Sequence, residues 1–240
     1  MDVNFYWQAD SFEFVSTLIS VSVGFILYYF ISKSVSLKNI FISRLGTERT
    51  KVGWVLFERL TGVFFFGFIP ILIVLLLYQK GLHQFGVQTG ELLISVYWIL
   101  GLMPVILLMN YLNAGKKNNL DMYPQIRKSD WNFQLIILSA LSWIVYLMAY
   151  EFMFRGFLLF VSITYLGVWP AIALNVAIYA LVHVPKGATE AIGAIPLGIL
   201  LCIVTLQTGS IIMALSVHIM LALSNEWFSL KAHPDMKINY

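Results

Sequence analysis

The chain carries few charged residues for its length. Of its 240 residues only 11% are charged and 60% are hydrophobic, whereas soluble globular domains average about 25% charged and about 45–50% apolar residues. This composition excludes an ordinary soluble domain. The 15 lysines and arginines stand against 12 acidic residues and give a formal net charge of +3, which is too small to indicate a nucleic-acid-binding surface.

Cysteine is almost absent as well. Cys202 is the single cysteine and lies inside an apolar run, so neither a disulfide framework nor a cysteine-based metal site can form. The sequence has no Gly-rich phosphate loop, no internal repeat at a fixed period and no low-complexity stretch. An ATP-driven pump or a repeat-built transporter therefore has no positive support.

Long apolar runs dominate the chain. Because a helix needs roughly 20 apolar residues to cross a bilayer, the runs predict an all-α, polytopic membrane helix bundle with seven transmembrane helices. The run 131–166 would be about 54 Å long as one helix, so it must protrude, tilt strongly or break, and an eight-span arrangement stays open. The predicted spans are 14–31, 54–78, 92–112, 131–166, 168–184, 190–207 and 210–230.

Basic residues fall on one side of this arrangement. Short loops rich in Lys and Arg stay in the cytoplasm, and the opposite side has only Lys80, while the N-terminal tail carries Asp2, Asp10 and Glu13 and no base. We therefore expect a multi-pass protein of the cell membrane with the N-terminus outside and the C-terminus in the cytoplasm. The basic residues on the predicted cytoplasmic side are Lys33, Lys38, Arg44, Arg49, Lys51, Lys116, Lys117, Arg127, Lys128, Lys186, Lys231 and Lys237.

Ionisable side chains within the spans are costly, roughly 2.5–3.5 kcal/mol each near the bilayer centre, and so suggest function. Glu58 and Arg59 lie one turn into their span, where we expect them to snorkel to the headgroups or to pair near the surface. Glu151 and Arg155 have apolar residues for many turns on both sides. Four residues apart on a helix, they share a face and can pair. The pair either locks two helices together or keeps Glu151 ionised and ready to accept a proton.

Two histidines lie in the last spans. At about 1.5 Å per residue, Glu151 and His183 are each about 24 Å from the outer turn at Gly167, which places them side by side toward the cytoplasmic half. His218 lies near the middle of the last span. Either Glu151 deprotonates a water that the two histidines hold, or the three residues bind a divalent metal such as zinc. Because no His-Glu-x-x-His motif is present, we favour the metal-free alternative and expect no cofactor.

These residues resemble the motifs of the CPBP family of intramembrane endopeptidases, which includes the type II CAAX prenyl proteases and bacteriocin-processing or self-immunity proteins. The family motif Glu-Glu-x-x-x-Arg is similar to the segment containing Glu151 and Arg155, with Glu151 as the second Glu. The motif Phe-x-x-x-His is similar to Tyr179 and His183 with an aromatic exchange, and the third motif is matched by His218.

The sequence departs from the family at two motif positions. The first Glu, usually credited in the family with activating water, is Tyr150 here. The third motif ends in Asn or Asp, whereas position 222 is Ala, and Asn225 lies one turn further on. Adjacent side chains on a helix point about 100° apart, so Glu151 does not automatically replace the missing Glu.

The resemblance covers roughly residues 120–228 and implies a peptidase that hydrolyses a peptide bond of a membrane-associated peptide or protein. It divides the chain into N-terminal helices and cytoplasmic loops (1–130), a CPBP-like membrane core (131–230) and a cytoplasmic tail (231–240). A catalytically inactive member that binds a membrane peptide or acts in immunity is the alternative, and a transporter is less favoured. The expected catalytic residues are Glu151, Arg155, His183 and His218, with Tyr150, Tyr179 and Asn225 positioning substrate or water.

Overall fold

The computed structural model describes residues 11–239. The predicted helix bundle is confirmed: within the described residues, seven helices are long and apolar enough to cross a membrane. Asp2 and Asp10, which contributed to the predicted orientation, lie outside the described residues. The helices are α1 (Phe12–Ser32), α2 (Val35–Leu45), α3 (Thr47–Leu77), α4 (Leu92–Asn113), α5 (Lys117–Leu120), α6 (Phe133–Leu166), α7 (Val168–Leu181), α8 (Ala188–Thr208) and α9 (Ile211–Ala232); α2 and α5 are too short to span.

Helix α6 is the long run for which the sequence left the number of spans open. It is continuous over 34 residues, so within residues 11–239 there is no eighth span. At the start of α6 the Asn132 side chain accepts a hydrogen bond from the Leu135 backbone N–H at 2.9 Å. Gly167, at a φ of 76°, ends the helix in a conformation that favours glycine. Residues Phe152–Leu158 form a π-helical stretch inside α6.

Helix α3 packs closely on α6. It contains two π-helical stretches, Val63–Phe68 and Ile73–Leu77. A Cβ atom at Gly67 would lie 2.9 Å from the Ala149 Cβ, so the two helices approach at a distance that only glycine permits. The N-terminal helices therefore hold α6 at the level just before Glu151.

The main apolar core surrounds the middle of α6. Phe66 of α3, Tyr150 and Phe154 of α6 and Tyr179 of α7 are buried members of one cluster. Aromatic rings fill this space, and Tyr150 contacts both Phe66 and Phe154 with ring centroids 5.9 and 4.9 Å apart. The side chains around Glu151 are therefore fixed by dense packing.

The chain end returns to the start of α6. Strand β1 (Asp130–Asn132) pairs in parallel with β2 (Lys237–Asn239), and Trp131 lies opposite Ile238. Trp131 is fully buried in a cluster with Val55 of α3, Ile126 and Leu230 of α9. The segment predicted as a tail, 231–240, thus contains a strand that pairs with the residues directly before α6.

Candidate active site

Glu151 lies in α6 directly before the π-helical stretch Phe152–Leu158. Its side chain and that of Arg155 are both 0% exposed, and Arg155 Nε lies 3.4 Å from Glu151 Oε2. The structure therefore contains the i,i+4 pair that the sequence suggested. Neither charge can reach a headgroup, since both are enclosed by protein.

His218 of α9 makes the closest polar contact of Glu151. Its Nδ1 lies 2.5 Å from Glu151 Oε1. Because an ionised carboxylate only accepts hydrogen bonds, Nδ1 must be the donor, and in a neutral imidazole Nε2 is then the free acceptor. The His218 side chain is 11% exposed while Glu151 is fully enclosed, so the imidazole is the accessible member of this pair.

His183 follows α7 and contacts the Tyr150 ring. Its Nδ1 donates to the Tyr179 carbonyl oxygen at 2.7 Å, since a carbonyl oxygen can only accept. Nε2 of His183 is therefore also an acceptor in the neutral ring. The Tyr150 ring lies 6.3 Å from the His183 ring and 5.8 Å from the His218 ring, centroid to centroid, so both histidines border Tyr150.

Tyr179 encloses the arginine. The Arg155 guanidinium carbon lies 4.2 Å from the centroid of the Tyr179 ring, a cation–π contact. Within the described residues, Glu151 Oε2, the three Arg155 nitrogens and the Tyr179 hydroxyl have no hydrogen bond of ordinary geometry. Buried polar groups without partners are rare in native proteins, and their concentration here favours a functional site.

Asn175 supports the π-helical stretch and was missed by the sequence analysis. Its Nδ2 donates to the Phe154 carbonyl oxygen at 2.6 Å, and its Oδ1 accepts from Cys202 Sγ at 3.4 Å. Asn175 is fully buried, and the bond fixes the backbone next to Arg155. A single amide inside the apolar α7 sequence was the signal that could have identified it.

Ala222 and Asn225, at and after the last position of the third motif, contact groups other than Glu151. Asn225 lies about 10 Å beyond His218 along the axis of α9, where its Oδ1 accepts from Ser229 Oγ at 3.5 Å; the structure does not join it to Glu151. Ala222 packs in a cluster with Trp143 and Leu147 of α6. The small side chain therefore fits where α6 and α9 approach each other.

The metal-bound alternative requires several donor side chains that surround one point. Across residues 11–239, no group of three or more His, Cys, Asp or Glu side chains is arranged to hold a metal ion. Glu151, His183 and His218 thus do not form a ligand set in this structure. The metal-bound alternative therefore stays a hypothesis from the sequence.

A second ion pair lies inside the bundle. Arg59 of α3 is 3% exposed and Glu226 of α9 is 1% exposed, and Arg59 Nη2 lies 4.0 Å from Glu226 Oε1. The prediction that Arg59 snorkels to the headgroups is wrong, because α6 and the segment before it enclose the guanidinium. Glu226 was not among the candidates. Glu58 accepts a hydrogen bond from Trp54 Nε1 at 2.9 Å.

The comparisons with known proteins agree with the motif positions. Residues 124–224 match the family model described as Type II CAAX prenyl endopeptidase Rce1-like. No curated protein and no solved structure matches the chain. The matched segment contains Glu151, Arg155, His183 and His218, and it confirms the resemblance that the motifs indicated: over residues 124–224 this membrane protein is similar to the Rce1-like type II CAAX prenyl endopeptidases.

Proposed function

We propose that the protein is an intramembrane endopeptidase that hydrolyses a peptide bond of a membrane-associated substrate, with a water molecule activated by the Glu151–His218 pair. The observation that carries this proposal is the 2.5 Å contact between Glu151 Oε1 and His218 Nδ1. A carboxylate that accepts the Nδ1 proton fixes the tautomer in which Nε2 can take a proton from water. The family match supports a membrane peptidase.

Glu151 and His218 have different roles because only His218 is accessible. Glu151 is fully enclosed, so it acts through His218, whose Nε2 removes the proton from water. The resulting hydroxide attacks the scissile carbonyl carbon. When the C–N bond breaks, His218 returns the proton to the leaving amine, so the imidazole is first base and then acid. This refines the sequence-based hypothesis, in which Glu151 itself accepts the proton from water.

The neighbouring side chains position the reacting groups. Arg155 lies against Glu151 Oε2 and favours the ionised carboxylate that His218 requires. His183, with its Nδ1 bound to the Tyr179 carbonyl, offers Nε2 as a second acceptor for the water. The Tyr150 ring borders both imidazoles and lines the space between them. The Tyr179 ring packs on the Arg155 guanidinium and helps to exclude water from it.

The orientation of the chain determines the side from which substrate arrives. We propose that the N-terminus is outside and the C-terminus is in the cytoplasm, because the basic loops 32–52 and 113–130 share one side of the bundle. His183 lies one turn before Lys186, which this arrangement places at the cytoplasmic end. The substrate would therefore be presented from the cytoplasmic leaflet.

An inactive, peptide-binding member of the family is the second candidate. Tyr150 occupies the position of the family's first Glu, and Ala222 is packed against Trp143 and Leu147 at the position of its Asn or Asp. In this alternative the buried Glu151–Arg155–His218 cluster serves only to hold α6 and α9 together. Binding of a membrane peptide without cleavage would then be the whole activity.

The test compares cleavage by matched variants. The purified full chain in lipid nanodiscs is incubated with a library of membrane-associated peptides, prenylated and unprenylated, and products are identified by mass spectrometry. We expect cleavage by the parent and by Glu190→Gln, and none by Glu151→Gln or His218→Asn. If the parent cleaves nothing but retains library peptides, the binding protein replaces the peptidase. Activity that survives a chelator supports the metal-free step, and activity lost to it contradicts that step.

A further inference from the structure

The Arg59–Glu226 pair is the centre of a hydrogen-bonded junction. Arg59 Nη1 donates to the Ser139 carbonyl oxygen at 2.9 Å and to Ser142 Oγ at 2.6 Å, and Nη2 donates to Gln125 Oε1 at 3.1 Å. The guanidinium carbon lies 4.3 Å from the Trp143 ring centroid. One planar side chain of α3 thus binds α6 at two positions and the loop before it.

Glu226 joins the same elements from α9. Its Oε1 accepts from Ser139 Oγ at 3.0 Å and its Oε2 accepts from the Gln125 backbone N–H at 3.4 Å. The junction therefore consists of Arg59, Glu226, Ser139, Ser142 and Gln125. It connects α3, the loop before α6, α6 itself and α9 within one buried network.

The junction and the Glu151–His218 contact join the same two helices, α6 and α9. On α6, Ser139, Trp143, Leu147 and Glu151 follow one another at intervals of four residues, so each is a neighbour of the next along the helix surface. On α9, His218, Ala222 and Glu226 do the same. Trp143 and Leu147 pack against Ala222 between the two polar contacts. Helices α6 and α9 are therefore attached to each other at two levels, with a packed apolar layer between them.

Both charges of the junction lie outside the segment that matches the family. Arg59 belongs to the N-terminal helices, and Glu226 follows the last matched residue, 224. Unlike the Arg155 nitrogens, the Nη atoms of Arg59 have hydrogen-bond acceptors. Among the described residues Arg59 Nε has no such acceptor, but a planar group bound through both of its Nη atoms restricts the relative position of its partners more than a single contact does.

We propose that Arg59 and Glu226 are positioning residues, which set the distance between α6 and α9 and so hold His218 Nδ1 on Glu151. The inference deepens the proposed function, on which its kinetic consequence rests. It assigns to the N-terminal helices a part in the active site through Arg59. The placement of His218 can be measured whether or not the chain cleaves peptides.

The test measures how fast diethyl pyrocarbonate modifies His218. The full chain in lipid nanodiscs is treated at fixed pH, and the modified peptides are quantified by mass spectrometry. The main variant is Arg59→Met/Glu226→Met, because apolar residues of similar volume often replace a buried ion pair without loss of folding. We expect His218 to react at least threefold faster, since its imidazole is no longer held on a buried carboxylate. His183, which follows α7, should react at the parent rate.

Two further variants separate positioning from general stability. Arg59→Lys keeps the charge, but one ammonium cannot reproduce the planar fork to Ser139, Ser142 and Gln125, so His218 should again react faster in a folded protein. Glu13→Met/Lys80→Met removes the ion pair in which Lys80 Nζ lies 2.6 Å from Glu13 Oε2, and it should leave His218 unchanged. These two variants decide the proposal if the double methionine variant does not fold.

The kinetic readout distinguishes this proposal from the proposed function. With a peptide that the parent cleaves, we expect the junction variants to lower kcat at least tenfold and to change KM less than twofold. If the parent cleaves nothing, the proposed function fails, and the rate of His218 modification still tests the junction. Parent-like His218 modification in folded Arg59→Met/Glu226→Met and Arg59→Lys would overturn the positioning role.

Discussion

The two buried ionic clusters of this protein contain the same kinds of side chains but satisfy them differently. In the junction, Arg59 donates to Ser139, Ser142 and Gln125. At the candidate active site, Arg155 is equally buried, yet its nitrogens have no hydrogen bond of ordinary geometry. Within the part of the chain that the structure describes, Arg59 Nε is also without a partner, but both Nη atoms of Arg59 are bound, and each buried polar atom that finds a partner lowers the cost of burying the charge.

This contrast separates a structural cluster from a functional one. The junction connects α3, the loop before α6, α6 and α9, and the charged groups of Arg59 and Glu226 are bound to other protein groups. The active-site cluster includes two imidazoles whose Nδ1 atoms are engaged and whose Nε2 atoms are acceptors. Proton transfer requires such a free, oriented acceptor. The less satisfied cluster is therefore the one suited to chemistry.

The largest effect is expected from shortening the carboxylate at the active site. Glu151→Asp keeps the charge beside Arg155 but withdraws the carboxylate from His218 by about 1.5 Å, the length of one C–C bond. Since a positioned general base contributes roughly 10²–10⁴-fold to rate, we expect kcat for peptide cleavage to fall by about that factor. Initial rates measured in nanodiscs check this. Glu13→Asp is the control, and an unchanged kcat in Glu151→Asp would contradict the assigned roles.

Removing one charge of the active-site pair should cost stability. Arg155→Met leaves Glu151 buried without its cation, and breaking a buried pair from one side typically costs about 3–5 kcal/mol. The exposed pair Glu48–Lys51, with Oε1 and Nζ 2.5 Å apart, provides the control, because Lys51→Met should cost less than about 1 kcal/mol. Denaturant unfolding in detergent compares the two. Equal costs would mean that Glu151 is compensated by other groups.

Much of the candidate active site could be predicted because the chain has so few charges. Most basic residues are assigned to loops by the positive-inside rule, which leaves Glu151, Arg155 and the two histidines as unexplained ionisable groups in apolar runs. Their spacing then places Glu151 and Arg155 on one face, and the structure contains that pair. The seven spans follow from the lengths of the apolar runs.

The remaining features depend on tertiary structure. Arg59 lies close enough to a span end to snorkel, and its partner Glu226 is far away in the chain, so no local pattern connects them. The π-helical stretch Phe152–Leu158 leaves no periodic signal, and the amide of Asn175 acts on it from another helix. Whether His183 or His218 meets Glu151 depends on the rotation of each helix about its axis, which spacing alone does not determine.

Introducing the Asn of the family motif at position 222 is expected to weaken the packing of α6 on α9 between the two clusters. Ala222→Asn introduces a larger, polar side chain between Trp143 and Leu147, where the three residues now pack together. Overpacking a core typically costs about 1–3 kcal/mol, and we expect that loss of unfolding free energy together with faster modification of His218. Ala180→Asn, beside the lipid-facing Leu181, serves as a control for the substitution itself. A more active and equally stable Ala222→Asn would show that the site lacks only its Asn.

The smallest effect is expected at Tyr123, in the loop that the junction holds. Its hydroxyl donates to Glu190 Oε1 at 3.3 Å, and one such bond contributes about 0.5–1.5 kcal/mol, which Tyr123→Phe should remove at pH 7. Burial, and after it the Glu190 carboxylate, raise the pKa of Tyr123 well above its ordinary value of 10.0. The contribution is therefore complete below pH 10.0 and declines as the pH rises above it, because the unfolded chain then loses this proton first. Unfolding of both proteins at pH 7 and above pH 10 measures the difference, and a difference that grows with pH would contradict the buried, protonated hydroxyl.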